Sequence, residues 1–262
     1  METFQLPIQL NEEVKNVLKA DDHFLIKTDL KSYKAKNIVV ATGPFQTPNL
    51  PLFSKELSPS IKQLHSSQYK NPNQLLEGNV LVVGGGNSGA QIAVEVSKVR
   101  DTYLAVSKEL NYLPLVILGK SIFWWFDKLG ILKANNTSLL GRVIQTKGDP
   151  IFGFDLKQAI TKNEVKIKKR VISANKNQLI FEDKTTLKVS NIIWATGFKP
   201  EFFWLQIDGV LDKEGFVIHN RGVSNIEGLY FIGLPWQYRR GSGLIQGVGY
   251  DAKYIVRKLN ER

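Results

Sequence analysis

The chain has 262 residues, with 35 Lys+Arg against 24 Asp+Glu, a formal net charge of +11 and no cysteine. That length supports one large or two ordinary domains, and 43% hydrophobic residues with 21 glycines describe a globular α/β protein, neither disordered nor fibrous. Without cysteine the chain has no disulfide framework, thiolate metal site, cysteine nucleophile or Cys-x-x-Cys redox pair, while its charge favours an anionic partner: nucleic acid, an acidic membrane or a phosphate-bearing cofactor.

Met1 to Leu10 alternates polar and apolar residues and lacks the basic region, apolar run and cleavage site of a signal peptide, so a cytoplasmic location is expected. From Val17 the pattern is that of a small antiparallel meander, turning at Ala20-Asp21-Asp22 and closing with Ile38-Val39-Val40 before Ala41-Thr42-Gly43. Val17–Gly43 aligns without a gap on Val171–Gly197. Identical pairs include Leu25/Leu179, Ile26/Ile180, Asn37/Asn191 and the whole triplet, which recurs as Ala195-Thr196-Gly197. Both closing strands are apolar on two faces, which predicts burial inside a parallel sheet. Small residues at the carboxyl end of such a strand leave room for a ligand. Ala41, Thr42, Gly43, Thr196 and Gly197 are therefore candidate cofactor-binding residues, with a tight turn and no ligand as the alternative for one triplet taken alone.

Between the repeats, Asn79–Val83 reads as a short strand running into Gly84-Gly85-Gly86-Asn87-Ser88-Gly89 and an amphipathic helix from Ala90 to Ser97. Strand, G-x-G-x-x-G and helix follow in the order a dinucleotide site needs. Gly84 permits the sharp turn, Gly86 lets the backbone approach a pyrophosphate, and Gly89 lets helix and strand pack closely. Asn87 and Ser88 sit where free N–H groups meet the positive end of the helix dipole. Thr102–Val106 reads as the second strand, placing Ser107, Lys108 and Glu109 where cofactor choice is made. A hydroxyl and a cation suit the 2′-phosphate of NADP; Glu109 rotated inward would oppose it, and Lys108 as a solvated surface charge is the plainer alternative.

Further along, Leu113–Leu118 and Ile122–Phe126 are too short and interrupted to span a bilayer, and the Phe123-Trp124-Trp125-Phe126 cluster is expected to pack inward rather than on a membrane surface. The basic run Lys166, Lys168, Lys169, Arg170 alternates with Val165 and Ile167 as an exposed strand face would, and no nucleic-acid partner is expected. The second Ala-Thr-Gly has a glycine fingerprint upstream. The first does not, and by the repeat its fingerprint would fall about seventy residues before Met1. The expectation is thus a chain lacking the opening βαβ unit of its first cofactor domain, or one completed by another chain.

These motifs resemble the C-terminal two-thirds of flavin-dependent monooxygenase-like oxidoreductases, relatives of the flavin-containing and Baeyer–Villiger monooxygenases. The resemblance rests on Val39–Gly43 with Pro48 and Pro51, Gln63–Tyr69, the Gly84 fingerprint, Trp194–Phe198 and Gly228–Trp236. It implies an α/β, Rossmann-like flavoprotein with two dinucleotide-binding domains: residues 1–58 and 201–262 form an incomplete FAD-binding domain, with an NADPH-binding domain, 59–200, inserted. It also implies that NADPH reduces FAD, and that a flavin hydroperoxide formed with dioxygen oxygenates a small-molecule substrate. No stable membrane insertion is implied, and the chain works alone, as a homo-oligomer or with a complementing chain. Gly233 and Ser242 join the flavin-side candidates, the latter just before an amphipathic helix from about Leu244 to Leu259. No catalytic side chain and no metal ligand is singled out, since the cofactor carries the hard chemistry.

Three departures stand out. The opening FAD fingerprint is absent, the family's F-x-G-x-x-x-H segment survives here only as His65 within Pro59–His65, and Gly233 is followed by Leu234 where many FAD enzymes have aspartate. His65 either orients the interdomain linker, lies near the nicotinamide, or is a satisfied structural histidine. The alternative function is a truncated, non-catalytic NADP-binding module; a nucleic-acid or membrane-surface binder is a second rival, and a disulfide reductase is excluded by composition.

Overall fold

The structure is a computed structural model and describes residues 5–261; Met1–Phe4 of the opening alternating segment and Arg262 lie outside them. Two compact units result, one of residues 5–46, 132–142 and 200–261, the other of 47–131 and 143–199. Residues 47–58, expected with the first unit, group with the second. Phe53 meets Trp194 edge-on with ring centroids 6.0 Å apart, and Leu57 is buried with Val171, Leu179 and Phe181.

The principal elements, in chain order, begin with strands Val14–Lys19 (β1), Phe24–Thr28 (β2), Ser32–Ala35 (β3), Ile38–Val40 (β4), Lys62–His65 (β5) and Val80–Val83 (β6). Helix Asn87–Ser97 (α1), strand Thr102–Ala105 (β7) and helices Ile122–Lys128 (α2), Leu139–Lys147 (α3) and Asp155–Thr161 (α4) follow. Then come Val165–Lys168 (β8), Val171–Asn175 (β9), Gln178–Phe181 (β10), Thr186–Lys188 (β11) and Asn191–Trp194 (β12). Leu205–Gln206 (β13), His219–Asn220 (β14), Val223–Ser224 (β15), Leu229–Phe231 (β16) and Ile245–Asn260 (α5) complete the set.

In the second unit β8-β7-β6-β12-β5 form a five-stranded sheet, parallel throughout. Strand alternation divides the core. Val80, Val82, Leu104 and Ile193 face α1 and α4 through Ala90, Ala93, Val96 and Leu156. Leu81, Ala105, Ile192 and Trp194 face the antiparallel meander β9-β10-β11 through Leu179 and Phe181. β12 is an inner strand with all four residues buried, as its two apolar faces predict. The basic run differs from expectation. On edge strand β8 it is Ile167 that is exposed, while Lys166 pairs with Asp101 at 2.7 Å and Lys168 lies over the Phe181 ring.

In the first unit β1-β2-β3 form the corresponding meander, with the short β13 parallel to β1. The two hairpins do not keep one register: Lys19 pairs with Phe24 across a four-residue turn, but Asn175 pairs with Gln178 across two, Lys176 adopting φ 51°. A second sheet has the order β14-β15-β16-β4. Here the expectation of a fully buried β4 is corrected. β4 runs parallel to β16 on one side only, and Val39 is 42% exposed, because no strand among the described residues takes the position that β6 takes beside β12. Arg221 lies between the Tyr238 and Tyr254 rings, 3.8 and 4.2 Å from their centroids, with its Nε 3.5 Å from the fully buried Asp251, which ties the β14–β15 turn to α5.

His219 on β14 accepts a hydrogen bond at Nδ1 from the Gly222 N–H, at 3.2 Å, and burial holds its pKa below the usual 6.5. Its neutral form belongs to the folded state, so the unfolded chain takes up this proton first as pH falls. Stability therefore declines as pH drops below about 6.5 through this group and is unaffected by it above that value. Urea midpoints compared between pH 7.5 and 5.5 should show a smaller drop in His219→Gln than in the native chain.

Candidate dinucleotide-binding site

The fingerprint turn is built by three glycines under three different constraints. Gly84 has φ 120°, and a Cβ there would collide with the Ala195 carbonyl oxygen. A Cβ on Gly89 would collide with the Gly84 carbonyl oxygen and lie 3.3 Å from Ala195 Cβ. Gly86 has ordinary extended backbone, φ −81°, and a Cβ there would meet nothing within 4 Å. Two glycines thus close the turn on the protein, and the third keeps its outer side open.

Helix α1 starts at this opening. Its first intrahelical bond runs from the Ala90 N–H to the Gly86 carbonyl, 2.9 Å, so the N–H groups of Asn87, Ser88 and Gly89 precede the ladder. Gly86 caps the helix without a side-chain hydrogen bond, and no acidic residue occupies the first turn. Ser88 is exposed. The Asn87 side chain, by contrast, is engaged at both ends: Nδ2 donates to the Pro150 carbonyl and Oδ1 accepts from the Phe152 N–H, each 2.9 Å. It holds the strand segment Ile151–Phe152, which pairs in parallel with Tyr112–Leu113. Sequence pattern alone carries no sign of that long-range role.

Beyond β7 the chain bends at Ser107 and Lys108, and both, with Glu109, are exposed. They lie beside the fingerprint, since a Cβ on Gly85 would sit 2.8 Å from Leu110 Cδ2 and 3.0 Å from Val106 Cγ1. The β12 end is tied down from the other side. Thr196 Oγ1 donates to the Asn49 carbonyl at 2.5 Å, the Asn49 N–H donates to the Gly197 carbonyl at 2.9 Å, and Phe198–Lys199 pairs with Thr47–Pro48. His65, at the end of β5 and 2% exposed, completes the arrangement. Its Nδ1 accepts from the Ser67 N–H at 3.2 Å, so Nε2 carries the proton donated to the Gly197 carbonyl at 3.0 Å, and its ring meets Phe198 at 4.8 Å. Of its alternatives, the satisfied structural histidine is what the hydrogen bonds describe.

In the first unit Gly43 and Gly233, with φ 67° and 81°, face each other: a Cβ on Gly233 would lie 4.0 Å from Gly43 Cα. Ala41 and Thr42 are exposed at the end of β4. Ser242 is fully buried, its Oγ accepting from the N–H groups of Tyr238 and Arg239 at 3.2 and 3.0 Å, so its side chain braces the loop before α5. α5 begins at Ile245, one residue later than expected, where Gly241 and Gly247 cross too closely for a side chain. Among the described residues no cluster of three His, Asp or Glu is placed to hold a metal, and no helix is long and apolar enough to cross a membrane.

Fold and site define a Rossmann-type α/β protein with a G-x-G-x-x-G turn at a helix N-terminus. Residues 1–109 match the family model of pyridine nucleotide-disulphide oxidoreductases, although this chain has no cysteine for disulphide chemistry. The chain is 63% identical to the uncharacterized oxidoreductase CzcO of Bacillus subtilis (strain 168) over 257 residues, 98% of this chain and 74% of that protein. It is 28% identical to the probable indole-3-pyruvate monooxygenase YUCCA4 of Arabidopsis thaliana, covering 90% of this chain and 64% of that one. A flavin-containing monooxygenase from Stenotrophomonas maltophilia shares the fold, with a TM-score of 0.76, 22% identity, and coverage of 99% of this chain and 73% of that one. The chain belongs to the family of CzcO oxidoreductases, and the flavin monooxygenases are its more distant relatives. The pyridine nucleotide oxidoreductase and flavin monooxygenase relatives imply flavin and nicotinamide nucleotide use.

Gly84→Ala would add a methyl where the Ala195 carbonyl already lies and force alanine to φ 120°. It should cost about 2–4 kcal/mol, measured by urea unfolding.

Proposed function

We propose that the protein is an FAD- and NADPH-dependent oxidoreductase of monooxygenase type, acting on a small nucleophilic or carbonyl substrate with dioxygen. The observation that carries the nicotinamide half is Gly86: extended, open on its outer side, and set at a helix N-terminus whose first N–H groups are free of the ladder. The backbone of Gly86 and Ser88 would hold the pyrophosphate of NADPH, Asn87 would keep the neighbouring strand in place, and Ser107 and Lys108 would meet the 2′-phosphate. Ala41, Thr42, Gly43 and Gly233 would line the flavin, with Ser242 bracing the loop before α5. Thr196 and Gly197 would shape the carboxyl end of the nicotinamide unit through their bonds to Asn49. A bound flavin supplies hydride acceptance from the nicotinamide and oxygen transfer from dioxygen to the substrate. The protein's share is to bind, orient and exclude water, which fits the absence of a conspicuous side-chain triad in the sequence.

Gly86→Ala tests the nicotinamide site because it separates binding from folding. The added methyl meets no protein atom, so the melting temperature should stay within about a degree, while NADPH affinity by calorimetry should fall at least about tenfold. Unchanged affinity would remove the site. Lys108→Ala should weaken NADPH about tenfold and leave NADH nearly unaffected, since only the 2′-phosphate loses a partner.

A second reading, a non-catalytic NADP-binding module, is favoured by one observation: β4 has a parallel neighbour on one side only among the described residues, with Ala41 and Thr42 exposed. The two readings separate on flavin uptake. The 262-residue chain should take up FAD weakly when purified alone, and stoichiometrically when it is fused to the part of the CzcO relative that lies outside the matched region. An NADPH-binding fusion that stays colourless after incubation with FAD would leave the module reading standing.

A further inference from the structure

The most apolar exposed feature of the second unit is a short hairpin, Val116–Ile117 against Lys120–Ser121, leading directly into α2. Leu118 at its tip is 85% exposed, Val116 61% and Leu115 48%. The turn itself is unusual. Leu118 and Gly119 both have positive φ, 48° and 70°, and a bulky γ-branched residue stands where asparagine or glycine is the ordinary choice. Leu118 gains no burial in return for that strain.

The hairpin is nonetheless held firmly. The Ile122 N–H donates to the Leu115 carbonyl at 2.8 Å, and the Trp125 Nε1 donates to the Ile117 carbonyl at 2.9 Å. Ile122 is buried, and Phe123 packs on Phe152 at 4.8 Å. The aromatic cluster therefore divides, which amends the expectation of inward packing. Phe123 anchors the segment, whereas Trp124 turns outward at 41% exposure, with Lys120 Nζ and Lys128 Nζ at 5.9 and 5.7 Å from its ring.

We propose that this hairpin and the Trp124 face of α2 form a peripheral membrane contact that seats the protein on an anionic phospholipid surface. An aliphatic tip, an amphipathic indole beside it and lysines around the indole are the groups that partition into the acyl boundary, the interface and the headgroup layer respectively. Charge agrees: from Leu115 to Ile131, all within the second unit, the sequence carries Lys120 and Lys128, both beside the indole, against the single acid Asp127. So does size. Two residues per strand reach only about 7 Å, enough to enter the headgroup–acyl boundary and too short to cross it. A protein partner of ordinary affinity would need about 800 Å² of matching surface, for which a narrow protruding tip is poorly shaped.

The test is sedimentation of the full chain with phosphatidylcholine vesicles, with and without phosphatidylglycerol, alongside Leu118→Glu and the double variant Lys120→Glu/Lys128→Glu. Circular dichroism checks that each is folded, as these exposed side chains predict. The native chain should bind the phosphatidylglycerol vesicles, less so as salt rises. Leu118→Glu should reduce binding about tenfold, and the double variant should abolish the preference for the anionic vesicles. No binding to anionic vesicles at low salt, or binding unchanged in Leu118→Glu, overturns the proposal. So does a native dimer that ignores vesicles and that Leu118→Glu dissociates, since the tip would then serve a second copy of the chain.

Discussion

The second unit depends on one close approach, the backbone of Gly84 against the carbonyl of Ala195. A glycine fingerprint is usually explained from its ligand, but here the protein itself already demands two of the three glycines. Gly84 must lack a side chain so that the turn leaving β6 can lie on the end of β12, and Gly89 must lack one so that α1 can lie on the turn. Ala195 is small for the same reason, with Gly89 beside its Cβ. Once those contacts are made, the start of α1 is fixed, with the N–H groups of Asn87, Ser88 and Gly89 ahead of its ladder. Gly86 alone has no such neighbour, so its missing side chain has no structural reason.

Much of this was legible in the sequence. Val80 to Val83 and Ile192 to Trp194 could be placed as inner parallel strands because a strand buried on both faces has no polar positions to spare. The meanders and the fingerprint helix were equally readable, since each is set by residues within a few positions of one another. What escaped was decided between distant parts of the chain. Asn87 looked like a pyrophosphate ligand from its motif position, yet its side chain serves Pro150 and Phe152, more than sixty residues away. Ser242 looked like a loop hydroxyl free for a cofactor and is instead a fully buried brace. The lysines of β8 alternated as a solvated face would, but an edge strand beside Tyr103 and Phe181 holds the Lys166 and Lys168 ammonium groups over those rings.

The internal repeat gives a controlled comparison, because matching residues occupy unlike surroundings. Asn191 is fully buried and closes the loop ahead of β6, donating to the Leu76 and Asn79 carbonyls and accepting from the Leu76 N–H at 2.8 Å. Its repeat partner Asn37 is exposed. Ala195 is wedged against the glycine turn; Ala41 is exposed. Ile193 is wholly buried, and Val39 is 42% exposed. Local sequence cannot be the cause of these differences, since it is nearly the same. The cause is the neighbour: β12 lies between β6 and β5, and among the described residues β4 has β16 alone.

Edge strands are normally blunted by a charge, a proline or a bulge, which prevents unwanted pairing. β4, Ile-Val-Val followed by Ala-Thr, has none of these. It keeps the composition of an inner strand, the small residues that in the second unit admit a glycine turn, and the asparagine that there fastens the loop before it. Ile38 and Val40 pack into the core of the first unit, but Asn37, Val39 and Ala41 stand exposed on the open edge. The same features make β12 the platform for the glycine fingerprint, and this is why the flavin-side candidates Ala41 and Thr42 stand exposed while Thr196 and Gly197 are hydrogen-bonded into the second unit.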